Sequence, residues 1–185
     1  MRVVAALLLA LGLTGCMGPQ TPWDPIGPRY ASSNWFGPKY ALDIPEGWLK
    51  LNAGEGLTST RDGWTLQKIT VRVLDPDKPL GHTKKTLRAG MAPRELAEVL
   101  VDDVRASGAH GLSVVETKPA TLAGAKGFRA VLAYKDAEGL GRRAVLTGAF
   151  VGDRVWQLAY DAPERVYFQK DLPTFEKALA SFTVR

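Results

Sequence analysis

Residues that do covalent and metal chemistry are scarce in this sequence. Its 185 residues include one cysteine and two histidines, so an intramolecular disulfide framework, a thiolate zinc site and a two-thiol redox motif are excluded. His82 and His110 have no metal-ligating neighbour at the usual spacing and read as solvated loop residues. The serine signatures G-x-S-x-G and S-x-x-K are both missing. Two glycine runs, Gly139-Leu140-Gly141-Arg142-Arg143-Ala144 and Gly54-Glu55-Gly56, come near the dinucleotide fingerprint. That fingerprint works only between a strand and a helix, where amides and helix dipole meet a pyrophosphate. Here the first run leads into a strand and the second lies between strands, so both read as hairpin turns and no cofactor is expected. No apolar run reaches the roughly 20 residues a membrane-spanning helix needs. Disorder is excluded too, because 45% of the residues are hydrophobic and 23% charged.

The N-terminus carries the most specific pattern. Arg2 precedes an apolar run over residues 3–13 broken only by Gly12; as a helix it would span roughly 16 Å, half a bilayer core. A charged start, a short apolar middle and small residues after it make a secretory signal. Its end, Leu13-Thr14-Gly15-Cys16, resembles the lipobox of bacterial lipoproteins, and the sole cysteine stands at the one position that motif demands. The resemblance implies cleavage of residues 1–15 and lipidation of Cys16, anchoring the protein to a membrane through acyl chains. Met17 follows the cysteine where an inner-membrane lipoprotein has Asp, which implies an outer-membrane destination facing the periplasm.

Residues 16–39 read as a tether, because five prolines (Pro19, Pro22, Pro25, Pro28, Pro38) and three glycines break any helical or strand period. Trp23, Tyr30, Trp35 and Phe36 exceed what a bare spacer needs; residues 30–36 folding back onto the domain, or docking on a partner or lipid interface, are the two explanations. Residues 40–185 form a single domain. Residues 40–44 alternate and stop at Pro45-Glu46-Gly47. Asp62-Gly63 marks a two-residue hairpin between residues 57–61 and 64–74, and a slip of side-chain parity at Gln67-Lys68 predicts a β-bulge. Pro93 opens a helix whose stripe is Leu96, Val99, Leu100 and Val104, ended by Ser107-Gly108, with Asp102 and Asp103 on its solvated side. Four strands follow over residues 112–118, 128–134, 142–151 and 155–160, and Pro173 starts a final helix burying Phe175, Leu179 and Phe182. Hairpins with few helices between them predict an α+β fold with an antiparallel sheet.

The order of these pieces resembles PsbP-like domains. The opening Leu42-Asp43-Ile44-Pro45-Glu46-Gly47-Trp48, the middle Pro119-Ala120-Thr121-Leu122-Ala123-Gly124 leading to Gly127-Phe128-Arg129-Ala130, and the close Leu172-Pro173-Thr174-Phe175-Glu176 with Ser181-Phe182 carry the likeness over nearly all of 40–185. It implies an α/β/α sandwich around an antiparallel sheet. Members of that group include an extrinsic photosystem II protein, Ran-binding proteins and bacterial envelope lipoproteins, with no shared catalytic set. The resemblance therefore implies a non-enzymatic binding or assembly role.

The net charge of +5 is localised. Residues 78–94 hold Lys78, Lys84, Lys85, Arg88 and Arg94 and no acidic residue, leaving the rest of the domain slightly acidic. A basic loop of that length reads either as a mobile solvated connection or as a site for anionic head groups or an acidic protein surface. Nucleic acid is excluded as a partner by export and by the lack of interleaved aromatics. Three functions follow as expectations: an envelope interaction or assembly module with a protein partner; a small-ligand or lipid-binding protein with a pocket between sheet and helix; and a hydrolase with a site assembled from distant residues.

Overall fold

A computed structural model describes residues 22–32, 37–52 and 56–185. The lipobox with Cys16, the aromatics Trp35 and Phe36, and Gly54-Glu55 lie outside the described residues.

Eleven strands and two helices are described: β1 Trp23–Pro25, β2 Arg29–Ala31, β3 Tyr40–Asp43, β4 Leu49–Leu51, β5 Leu57–Thr60, β6 Lys68–Leu74, α1 Pro93–Ala106, β7 His110–Leu122, β8 Ala125–Lys135, β9 Gly141–Val151, β10 Arg154–Pro163, α2 Tyr167–Ala180 and β11 Thr183–Val184. The main sheet has eight strands in the order β1-β4-β5-β6-β10-β9-β8-β7, and β11-β3-β2 make a second, small sheet. Every pairing is antiparallel. The expected α+β architecture with flanking helices is the observed one.

Strand alternation divides the core. On β9, Val145 and Ala149 belong to one apolar cluster and Ala144 and Leu146 to another, so the two clusters lie on opposite sheet faces. The first gathers Ile69, Val71, Trp156, Leu158 and Tyr160 under α2 and the small sheet, with Phe168 and Phe175 from α2 and Phe182, just beyond the helix rather than on it, closing the cluster. Tyr160 is stacked between Phe168 and Phe175 at ring-centroid distances of 5.5 and 5.8 Å. The second sets Leu96 and Leu100 of α1 on Phe128, Ala130, Leu132 and Val155. Gly148 is required there, because a Cβ on it would stand 2.8 Å from the Phe128 ring.

Three sequence expectations are corrected. Residues 22–32, read as part of a spacer, contain β1 and β2: Trp23 pairs with Leu51, Tyr30 with Leu42, and Ile26 is buried in the first cluster. The prolines are tolerated because both strands are three-residue edge strands, where a missing ladder donor costs little. The two-residue hairpin at Asp62-Gly63 is a loop over residues 61–67, and β5–β6 pairing runs without a bulge. The loop widens because Gln67 turns inward and is fully buried, while the Thr60 hydroxyl donates to the Gln67 carbonyl (2.6 Å) and accepts from Gly63 N–H (3.1 Å). Register irregularities fall in β7 instead, at residues 110–113 and 114–116. Finally, α2 begins at Tyr167 and carries Pro173 inside it. The carbonyl left without a donor belongs to Gln169, and Gln169 and Pro173 are both exposed, so water replaces the missing bond. The start of α1 at Pro93 and the extents of β7 to β10 agree with the sequence reading to within a few residues at each end.

Candidate functional site

The basic segment 78–94 is built into the domain rather than suspended from it. Leu80 and Leu87 are buried in the α1-side cluster, Pro79 bridges Thr86, and Leu80 N–H donates to the Lys85 carbonyl (2.8 Å). Its clasp is Asp103, read from sequence as a solvated residue but only 3% exposed. One carboxylate oxygen of Asp103 accepts from His82 N–H (3.0 Å), Thr83 N–H (2.9 Å) and the Thr83 hydroxyl (3.2 Å). Burial raises this group's pKa, but the Thr83 and His82 donors outweigh it and leave it below the ordinary Asp range. The helix phase is legible in the sequence: Asp103 follows Leu96 by seven residues and Leu100 by three, so it shares their inward stripe.

Most of the segment's charge is locally compensated. Lys78 lies 3.7 Å from Asp75, Lys85 is 3.0 Å from Asp102, and Arg94 is 3.2 Å from Glu98. Asp102 also pairs with Arg105, and Lys85 is the main influence holding its carboxyl below the usual range. Lys84, held at a positive φ, donates to the Gly81 carbonyl (2.7 Å), and Arg88 is exposed. Among the described residues Lys84 and Arg88 make no ion pair, so they are the cations left for an external anion.

Beside α1 an open groove of about 610 Å³ runs along β7, with Ala97, Val101 and Val114 on its floor and Arg94, Asp102 and Arg105 on its rim. The groove opens between α1 and the edge strand β7 of the main sheet, where a small-ligand seat between sheet and helix is expected.

The end of the sheet at the β8–β9 hairpin holds a second group of buried charges. Arg142 is 6% exposed and donates to Asp161 through Nε (3.0 Å) and Nη2 and to the Thr65 carbonyl through Nη1 (2.8 Å). The Tyr134 hydroxyl donates to the same carboxylate. Burial, reinforced by Asp161, pushes the Tyr134 phenol far above its ordinary value; for Arg142 the opposing pull of burial is overcome by Asp161, which lifts it. Next to this group, Asp171, 1% exposed, meets Arg61 (2.9 Å) and Gln67 Nε2 (3.2 Å). These groups pair with one another and hold loops in place. Sequence reasoning missed both clusters, since their partners lie up to 110 residues apart.

Of the other sequence candidates, His82 serves through its backbone in the Asp103 clasp, and His110 opens β7 at the end where Arg142 lies. Gly139 and Gly141 lie in the β8–β9 hairpin, closed by Asp136 N–H donating to the Leu140 carbonyl (3.1 Å). Among the described residues no three His, Cys, Asp or Glu side chains are grouped to hold a metal ion, and no helix is long and apolar enough to cross a membrane.

Solved structures carry this arrangement. The cyanobacterial PsbP protein (CyanoP) from Synechocystis matches 96% of the chain over 99% of its own length, with a TM-score of 0.56 and 14% identity. The chain has the PsbP-like fold. The same fold appears in the Saccharomyces cerevisiae Ran-binding protein Mog1p, at TM-score 0.58 and 9% identity over 84% of this chain and 95% of that one. LpqN, described as involved in cell envelope biogenesis of Mycobacterium tuberculosis, matches at TM-score 0.58 and 14% identity over 84% of this chain and 90% of its own. No protein-family model matches, and no curated protein matches. Within the PsbP-like fold the identities are low enough that the likeness is one of architecture, and the residues described above belong to this chain.

Proposed function

We propose that this protein is a non-enzymatic envelope lipoprotein that presents a PsbP-like domain as an interaction or assembly module. The supporting observation is the structural likeness, over 84% of the chain in each case, to proteins described as Ran-binding and as involved in cell envelope biogenesis. The chain's buried charges agree with it, being paired with one another. In this reading residues 1–15 are removed, Cys16 carries the lipid, and the domain stands on the periplasmic side of the outer membrane. The tether is shorter than its prolines imply, because β1 already belongs to the sheet. The stretch between Cys16 and Pro22, fully extended, spans roughly 20 Å, which keeps the domain close to the leaflet that holds it.

Lys84 and Arg88 are then the residues of the basic segment that meet anionic head groups, with Lys78, Lys85 and Arg94 retained by Asp75, Asp102 and Glu98. Purifying the tagged full chain from mildly solubilised envelopes tests the module: a polypeptide partner recovered in near-stoichiometric amount supports it. Recovery of the protein alone, at every detergent tried, contradicts it.

A further inference from the structure

The main sheet ends in two edge strands of unequal length: β1 has three residues and β7 has thirteen. Two neighbouring large hydrophobic side chains of β7, Val114 and Val115, are 45 and 53% exposed. The hairpin settles which backbone groups of this edge are free. Leu122 pairs with Ala125 across the two-residue turn Ala123-Gly124, both residues of which have positive φ. Such a turn is flanked by a hydrogen-bonded pair, and bonded pairs alternate with non-bonded ones along the ladder. Leu122, Ala120, Lys118 and Glu116 therefore turn N–H and C=O toward β8, while Thr121, Pro119 and Thr117 turn theirs outward. Pro119 is tolerated because its missing N–H takes nothing from the β7–β8 ladder.

Two breaks then flank Thr117 on the outer side of the edge. One is Pro119, which has no donor, two residues after it. The other is the register irregularity between Val114 and Glu116, centred two residues before it. Outward N–H and C=O groups are matched by another strand. An uninterrupted strand would leave a carbonyl without a donor at Pro119, whereas this edge matches itself.

A two-fold axis through Thr117, normal to the sheet, runs β7 antiparallel to the same strand of a second copy with Thr117 opposite Thr117. Val115 of each copy then faces Pro119 of the other, so break meets break and two exposed apolar side chains cover each other. Glu116 falls opposite Lys118 on both sides of the axis, and opposite charges across a strand pair are favourable. These two residues also pair within the chain at 3.1 Å, so they reinforce a register that the two breaks decide. The axis keeps α1 of both copies on one face of the sheet, and the grooves floored by Ala97, Val101 and Val114 meet across the seam. We infer that two copies of this chain join edge to edge through β7 into one continuous antiparallel sheet. The inference goes beyond the module reading and does not depend on which partner the module binds.

Thr117→Cys in the full-length protein, mildly oxidised in cells, tests it. The wild-type chain, whose single cysteine is Cys16, sets the background. Facing Cα atoms of a hydrogen-bonded antiparallel pair lie about 5.5 Å apart, within reach of a disulfide. Thr117→Cys should therefore give a disulfide-linked homodimer above background. Thr121→Cys, exposed on the same edge but four residues from the axis, should give none. Adding Glu116→Lys to Thr117→Cys should lower the dimer yield threefold or more, and adding Lys118→Glu as well should restore it. All four positions are exposed, so unchanged thermal unfolding separates lost pairing from lost folding. No dimer at 117, equal dimer from 117 and 121, or a mixed disulfide with a different polypeptide would each overturn the β7 seam. A co-purifying partner without the Thr117→Cys dimer leaves the module reading standing alone, and the dimer without any co-purifying partner leaves only the seam.

Discussion

Replacing Asp103 with Ala should release the 78–94 segment from the domain. Three donors converge on one oxygen of this buried carboxylate, two of them backbone amides. A hydrogen bond to a charged group contributes about 1.5–3 kcal/mol, and a buried donor left unmatched costs about 1–3 kcal/mol. His82 is exposed and Thr83 half-buried, so water recovers part of the loss. The net destabilisation should therefore be about 2–3 kcal/mol, a fall in Tm of about 4–12 °C at about 2–4 °C per kcal/mol for a domain of this size. Urea unfolding reads the total, and amide exchange at His82, Thr83 and Lys85 reads the place. The dependence on pH is a second signature. The folded-state carboxyl is held below its unfolded value, so its contribution is complete above about pH 4 and disappears as pH falls through the folded pKa. Wild type and variant should converge in acid. A loss under 0.5 kcal/mol at pH 7 with unchanged exchange at His82 and Thr83 would refute the clasp.

Four further outcomes follow. Arg142→Ala leaves the buried Asp161 with only the Tyr134 hydroxyl and Lys68 at 3.9 Å and should destabilise by about 3 kcal/mol in chemical denaturation, with Arg142→Lys recovering only part because it lacks the forked donors. Phe175→Ala removes a fully buried ring from beside Tyr160 and should cost about 3–5 kcal/mol; a loss under 1 kcal/mol would show that α2 does not seal that core. Tyr160→Phe deletes the hydroxyl that donates to the Tyr167 carbonyl (2.6 Å) and should cost about 1 kcal/mol, seen as faster exchange in the first turn of α2. Reversing Lys84 and Arg88 to Glu should reduce binding of the non-acylated protein to anionic vesicles without lowering its Tm, while equal binding would remove the basic segment from the membrane contact.

The strands β7 to β10 were legible because each is a run containing strand-forming residues bounded by turn residues, and α1 because its apolar spacing and Pro93 agree. Legibility failed where a tertiary partner overrides a local signal. The prolines of 22–28 read as a spacer because edge pairing with β4 depends on a strand whose position is invisible locally. Asp62-Gly63 has the signature of a tight hairpin, yet Gln67 is drawn inward by Asp171, over a hundred positions away. Pro173 reads as a helix start because its ring usually is one, and only the solvent-facing side of α2 makes the exception tolerable. For the candidate site, charge counting found the basic segment but not its compensation by Asp75, Asp102 and Glu98, which depends on how the chain folds back onto α1.

The proposed lipid anchor is Cys16, the point at which the fold would be fixed to a membrane. Intact mass of the full-length gene product recovered from its native host measures that directly. The account predicts a chain beginning at Cys16 and carrying a diacylglyceryl group and an acyl chain. A chain that keeps residues 1–15, or one cleaved elsewhere with Cys16 unmodified, would contradict it.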